Sequence, residues 1–362
     1  MLAHFKRGLS NGIWWDTYTL DYDLRRNRPE WTKPRWANGL TQARDKLDAA
    51  IKAWRNDRQS NRFPRFKKRM YPLTCAFPKI VITYHPTQRK VRIPKLGWVR
   101  MREALRFTGK IVGNATVSFD GKRWWISLTV DTGVEPVQRE PNHIVGVDVG
   151  LKTLAITSDG EAYSNPRALT EALKSLRLID RAISRSKRVH GTHRASNRRN
   201  RLYALRRKAH EKVANIRRNA HRQAASAIVK AADVVCVETL NVRGMVRNRR
   251  LARAISDAGL GGLLQELAWQ CKKRGVTLIE ADMWFASSKT CSSCGMKRDT
   301  LTLSEREFVC EHCGVVIERD FNAALNLKQL AFDIINGKRL TDAWSGSKTC
   351  VSKQAAMKRE LY

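Results

Sequence analysis

The stretch "IVGVDVGLKTLAI", residues 144–156, constrains the fold more than any other. Ile144, Val145 and Val147 lead in, and Val149, Leu151, Leu154 and Ile156 follow, so the run reads as a buried β-strand, with its motif part at 144–149. Asp148 interrupts it. An ionised carboxylate in such a strand is costly unless it is paired or holds a metal. Two other acids occupy comparable places. Glu238 closes the apolar run "VVCVE", and Asp320 opens a helical pattern in "ERDFNAALNL". The three lie 90 and 82 residues apart, so only a fold can gather them. Singly, Glu238 would pass for a solvated strand end and Asp320 for a helix N-cap. Jointly they suit a hard-oxygen Mg²⁺ site. Two such ions can activate the attacking water and stabilise the leaving oxygen in phosphodiester cleavage.

Cysteine spacing adds a second metal expectation. Cys291 and Cys294 form one CxxC pair, and Cys310 and Cys313 form another after 15 intervening residues. This is zinc-ribbon spacing, and Gly295 and Gly314 directly after the pairs ease the tight turns. Four thiolates complete a tetrahedron, so the expected Zn²⁺ is a single structural ion, and His312 is not needed. The other cysteines, Cys75, Cys236, Cys271 and Cys350, are scattered. With no secretory core at the N-terminus, the pattern favours a reducing cytoplasm over disulfides.

Charge points to the partner. Lys and Arg number 69 against 33 Asp and Glu, a formal net charge of +36. An excess of that size suits a polyanion, DNA or RNA first. No run of about 18 apolar residues argues for a membrane span. From Arg181 to Arg222 there are 15 Lys or Arg and one acid, Glu211. A solvated face normally mixes signs, so this stretch reads as a nucleic-acid contact. The candidate phosphate ligands are Lys187, Arg188, Arg198, Arg199, Arg206, Arg207, Arg217 and Arg218, with Arg247, Arg249 and Arg250 further on. Trp14, Trp15, Trp31, Trp36 and Trp54 suggest stacking on unpaired bases, although Trp54 sits at core spacing.

Along the chain, residues 38–57 have helical spacing with Asn38 as a cap. Residues 78–131 alternate apolar and polar, with a hairpin signal in "FDGKRWW", and predict antiparallel strands of a small barrel. A polar, Pro-containing linker spans 132–143, and "TSDGEAYS" reads as a turn into another strand. Residues 171–230 are long, basic and helical, broken near 190–197; a helix at 258–273 and a strand in "GVTLIEAD" follow. The last stretch, 336–362, has no period and is expected to be disordered.

The segments "VGVDVGLKTLAITSDG", "VVCVETLNVRGM", "NRRLARAISDAG", "SSKTCSSCG…CEHCG" and "ERDFNAALNL" follow one another as in the TnpB family. The chain resembles these transposon-encoded, RNA-guided nucleases, relatives of type V CRISPR effectors, from about residue 38 to about 328. The resemblance implies an α/β fold plus β-barrel. Residues 1–140 would hold a helical recognition lobe (about 1–70) and a barrel (about 78–131) that grips guide RNA and the duplex beside the target. Residues 141–335 would form a RuvC-like, RNase H-like nuclease domain containing the basic helices 171–230 and a zinc ribbon at 286–318. Asp148, Glu238 and Asp320 align with the family's catalytic acids. The common Asp-Arg-Asp is Glu-Arg-Asp here, which changes only the neighbour of Asp320. The implied activity is Mg²⁺-dependent, RNA-guided DNA cleavage in a prokaryotic cytoplasm, near the nucleoid. Its partners would be a guide RNA derived from the transposon end and a double-stranded DNA target, with no membrane and no small-molecule cofactor. Base pairing would read the sequence and the protein the shape. The alternatives are a guided DNA-binding regulator without cleavage and a transposase performing strand transfer.

Overall fold

The computed structural model describes residues 2–12, 16–26, 37–59, 61–65, 73–77, 82–94, 96–120, 123–190, 196–302 and 305–337. The chain divides into two units, Met1–Glu135 and Pro136–Tyr362. None of the described helices is long and apolar enough to cross a membrane.

The first unit contains helices α1 (Leu2–Ser10), α2 (Thr17–Arg26) and α3 (Ala37–Asn56). Phe5 of α1 and Leu47 and Ile51 of α3 are buried together, with Phe63 packed against them. Trp54 meets the edge of Phe63 at 5.1 Å, which draws it towards this small core. Trp14, Trp15, Trp31 and Trp36 lie outside the described residues. Six strands follow: β1 (Leu73–Phe77), β2 (Thr83–His85), β3 (Lys90–Ile93), β4 (Gly97–Arg100), β5 (Lys110–Phe119) and β6 (Trp124–Asp131). The strands flanking the expected "FDGKRWW" turn pair, with Phe119 opposite Trp124, while Gly121 and Lys122 lie outside the described residues.

The barrel expectation needs correction. Among the described residues the strands make two separate antiparallel sheets, β1-β5-β6 and β2-β3-β4, with no ladder joining them. Ile82, Val91 and Ile93 share a core with Ala115, so the alternating apolar faces are satisfied by packing sheet on sheet. Closure needs edge strands long enough to continue a ladder. β2, β3 and β4 have three or four residues each, and β4 is exposed at every position. Alternation reports that one face is buried; it does not report whether the sheet closes.

The second unit is built on β7 (Ile144–Asp148), β8 (Thr153–Thr157), β9 (Ala162–Ser164), β10 (Val234–Glu238) and β11 (Thr277–Ala281). They form one sheet in the order β11-β10-β7-β8-β9. β7, β10 and β11 run parallel; β8 is antiparallel to β7, and β9 is antiparallel to β8. The apolar run 144–156 is therefore two strands, and Asp148 is the last residue of the first. The helices are α4 (Ala168–His190), α5 (Asn197–Ala231), α6 (Val242–Met245), α7 (Ala252–Ala258), α8 (Leu260–Arg274) and α9 (Arg319–Ile335). A two-stranded ribbon, β12 (Glu307–Val309) and β13 (Val316–Glu318), precedes α9.

Both faces of the sheet are covered. Val145, Val147, Val235 and Val237 pack against Ala225, Ile228 and Val229 of α5 and Leu263 and Leu267 of α8. Ile144, Val234 and Cys236 pack against Leu327, Leu330 and Ala331 of α9. Strand side chains alternate between faces, so Gly146 and Asp148 share the α9 face with Ile144, and Glu238 shares it with Val234 and Cys236. The C-terminal stretch 336–362 lies outside the described residues beyond Gly337.

Candidate active site

Register brings the first two acids together. Val237 pairs with Val147 in the parallel β10–β7 ladder, so Glu238 and Asp148 end adjacent strands at the same edge. Ligands of α/β sheets collect at such carboxyl edges. The third acid comes from α9, which crosses this face. Its approach depends on Gly146: a Cβ there would lie 2.0 Å from the Ala324 carbonyl oxygen and 2.5 Å from the Lys328 nitrogen. Only a residue without a side chain lets the helix backbone come so near. Asp320 lies in the first turn of α9, where the helix dipole favours an anion. The N-cap is Glu318, not Asp320, so capping does not account for Asp320.

Electrostatics places the three in one neighbourhood. Burial raises the Asp148 carboxyl well above the ordinary carboxylate range, the charges of Glu238 and Asp320 raise it further, and Arg319 opposes them. Asp148 nevertheless keeps an edge exposed. Burial also raises Glu238, while a hydrogen bond from the Ser287 hydroxyl lowers it. Arg319 reaches Asp320 Oδ1 through Nη2 at 3.0 Å and Nε at 3.2 Å. Asp148 and Glu238 are desolvated, and the charges of Glu238 and Asp320 both bear on Asp148, so a cation beside Asp148 would offset that cost. The three acids are spread more loosely than the cysteines, which are the one tight group of three or more such ligands among the described residues.

The four sulfurs of Cys291, Cys294, Cys310 and Cys313 lie within 4.8 Å of one another. Cys291 and Cys310 are buried with Phe308. Backbone N–H groups of Cys313 and His312 point at the Cys310 sulfur and bring its thiol down to about 6. This donor set fits a closed tetrahedral zinc site. Gly295 and Gly314 have φ of 75° and 71°, the left-handed turns that the pairs require.

The basic helices fold back on each other, with Arg206 Nε paired to Asp180 Oδ1 at 2.8 Å. Ser196 caps α5 by accepting from the Arg199 nitrogen at 3.2 Å. Lys187, Arg188, Arg198, Arg206 and Arg218 are exposed, and Arg207 is partly so. One candidate is withdrawn from solvent, a correction to the sequence reading, and another is partly exposed but engaged within the fold. Arg199 is 1% exposed. Arg217 donates to the Asp257 backbone oxygen at 2.6 Å and lies 3.4 Å from its carboxylate. Asp257 also accepts from the Leu169 and Thr170 nitrogens at the start of α4, so Arg217 belongs to the joint that holds the helices. Arg247, Arg249 and Arg250 are exposed in the segment that follows β10 and α6, a few residues beyond Glu238.

Two family models match the second unit and its approach: "Probable transposase" (OrfB of IS605) at residues 127–249, and "Cas12f1-like, TNB domain" at 261–327. A Mycobacterium tuberculosis protein named "Putative RNA-guided DNA endonuclease" is 31% identical over 327 residues, covering 83% of this chain and 68% of the relative. The chain belongs to the TnpB family. Another similar protein, InsQ of Escherichia coli K12, which carries the same description, is 28% identical over 313 residues, with 82% of this chain and 75% of the relative covered. The TnpB-family chain also shares its fold with Cas12f1, solved as a complex with sgRNA and target DNA. The TM-score is 0.52 at 17% identity, over 81% of this chain and 70% of that one.

The sequence reading missed Gly146, Ser287, Asn322 and Asn326. The last two were legible as amides four apart in "NAALN", one helical turn, where a buried helix face otherwise expects apolar residues.

Proposed function

We propose that this TnpB-family chain is an RNA-guided DNA endonuclease whose cutting site is Asp148, Glu238 and Asp320. The observation that carries the reading is that Asp148 and Glu238 end adjacent parallel strands, and that the charges of both Glu238 and Asp320, the latter from α9, bear on Asp148. The acids suit Mg²⁺, a hard cation that takes oxygen ligands. When bound, Mg²⁺ would make the attacking water nucleophilic and neutralise charge on the scissile phosphate and leaving oxygen. The protein's own part is positioning. β7 and β10 fix two carboxylates side by side, α9 brings the third, and Arg319 orients Asp320. We assign residues 141–335 to cleavage and 1–140 to recognition of guide RNA and target-flanking duplex. The guide RNA, derived from the transposon end, would pair with one strand of the DNA target. The test is Mg²⁺-dependent cutting of a plasmid matched to a supplied guide. Binding without cutting would mark a regulator, and joined DNA ends would mark a transposase.

The ribbon cysteines are assigned one structural Zn²⁺. Elemental analysis should find one zinc per chain. Paired Cys→Ser changes at Cys291 and Cys310 should remove it, while Ser at Cys75, Cys236, Cys271 or Cys350 should not. Thiolates gathered at one point need the ion, so the ribbon should lose order with it.

The exposed charges of α4 and α5 are assigned to phosphates of guide RNA or of its duplex with DNA. Reversing Lys187, Arg188, Arg198 and Arg206 to Glu should weaken guide binding and flatten its salt dependence. The slope should change by about 0.7–0.9 per lost contact. An unchanged slope would show that these charges face only water.

A further inference from the structure

Glu238 is held by a residue with no part in the acid set. β11 runs beside β10 with Ala281 opposite Glu238, and the chain then turns back through residues 282–286. The Asp282 side chain accepts from the Trp284 nitrogen at 2.8 Å, and the Ser287 nitrogen donates to the Phe285 oxygen at 2.9 Å. This return brings Ser287, 2% exposed, against the acid, where its hydroxyl donates to Glu238 Oε1.

Ser287 is fixed in turn from α9. Asn326 Nδ2 donates to the Ser287 carbonyl at 2.7 Å and to the Thr290 carbonyl at 2.6 Å. One turn earlier, Asn322 Nδ2 donates to the Thr290 carbonyl at 2.7 Å, and its Oδ1 accepts from the Ser292 nitrogen at 2.9 Å. Asn322 and Asn326 are 0% and 4% exposed. Buried amides cost free energy unless bonded. Here both are spent on clamping one loop to the helix that carries Asp320.

We infer that Ser287 is a positioning residue for the cutting site. Its hydroxyl fixes Glu238, and Asn326 fixes Ser287 from the helix of Asp320, so the chain Asn326–Ser287–Glu238 holds a strand-borne acid in register with a helix-borne one. This rests on the acid site proposed above. The physical reason is specific to a loose carboxylate set. Glu238 is the last residue of β10, with the Thr239 nitrogen donating to the Ala281 oxygen at 3.2 Å just beyond it, and backbone pairing does not set a side-chain rotamer. A donor on Oε1 occupies one oxygen, orients the group and leaves Oε2 for a cation. Partners of this kind, one step removed from an ion, typically change metal affinity about 10–100-fold when lost.

The test compares wild type, Ser287→Ala and Ser287→Thr in the full chain with guide RNA. Mn²⁺ affinity is read by water-proton relaxation and the Mg²⁺ dependence by plasmid cutting, with zinc content, guided DNA binding and thermal unfolding measured in parallel. Ser287→Ala should lower Mn²⁺ affinity and raise the Mg²⁺ requirement by about 10-fold or more, with the parallel measurements unchanged. Ser287→Thr, which keeps the donor, should recover most of the affinity. In a Glu238→Ala background Ser287→Ala should have no further effect on Mn²⁺ binding, because the coupled partner is gone. Wild-type metal dependence in Ser287→Ala, equal defects in Ala and Thr, or loss of zinc or stability with the metal defect would overturn the inference. Failure of the acid site itself would show differently, as wild-type cutting by Glu238→Ala.

Discussion

Asp148→Ala is expected to abolish guided cutting, by about three orders of magnitude or more, while guided DNA binding persists. The carboxylate is lost, but Val145 and Val147 keep their packing and the β7–β10 ladder is backbone-made. Glu238→Ala and Asp320→Ala should give similar losses, and combined changes should add little, since the acids act as a unit. Stability should move the other way. Asp148 is raised in the folded state by burial first, then by Glu238 and Asp320. The fold therefore binds a proton more tightly than the unfolded chain does. The stability from that proton is present at acid pH and is lost as pH rises through the folded value. In Mg²⁺-free buffer at neutral pH, wild type should be no more stable than Asp148→Ala. Acidification towards the ordinary carboxylate range should stabilise wild type more than the variant. Urea unfolding at several pH values checks the sign. Wild-type cutting by Asp148→Ala would place the metal site elsewhere.

Gly146→Ala is expected to cost both stability and cutting, although residue 146 carries no reactive group. The added Cβ would meet backbone atoms of α9 at 2.0 and 2.5 Å, and backbone cannot swing aside as a side chain can. Either β7 or α9 must shift. Overpacking of this kind costs about 1–3 kcal/mol, and rigid neighbours push it towards the upper end. The same shift moves Asp320 relative to Asp148, so cutting should fall further than the stability loss explains. Denaturant midpoint and cleavage rate, measured together, separate the two effects. A variant with wild-type midpoint and rate would show that α9 does not depend on this contact.

Much of the candidate site was legible because its signals are contiguous. Two apolar strands ending in acids, two CxxC pairs and a helix opened by Asp320 are all short-range patterns, fixed by strand alternation, thiolate geometry and helical period. The hairpins at 119–124 and 157–162 followed from turn residues between alternating strands. The reading failed where the answer lay in how distant segments meet. The run 144–156 reads as one apolar strand interrupted by Asp148, and that reading hid the turn at 149–152, with Gly150 and Lys152 in it, that separates β7 from β8. Charge alone could not separate the exposed Arg198 from its buried neighbour Arg199, or foresee that Asp257 would engage Arg217. The short strands β2 to β4 alternate as barrel strands do, yet form a separate sheet.

By itself the sequence determined the donor sets: three carboxylates at element ends, four thiolates at knuckle spacing, and an excess of cations on helices. Donor type and local period are properties of neighbouring residues, so no fold was needed to see them. The tertiary structure alone decided that Glu238 stands beside Asp148, because that depends on the β10–β7 register across 90 residues. It alone decided that α9 comes close enough to deliver Asp320, because that depends on a missing side chain at Gly146 facing two backbone atoms. The grip of Ser287 on Glu238, set by Asn326, is of the same kind: a hydrogen bond is written by geometry between segments, and no periodicity within either segment encodes it.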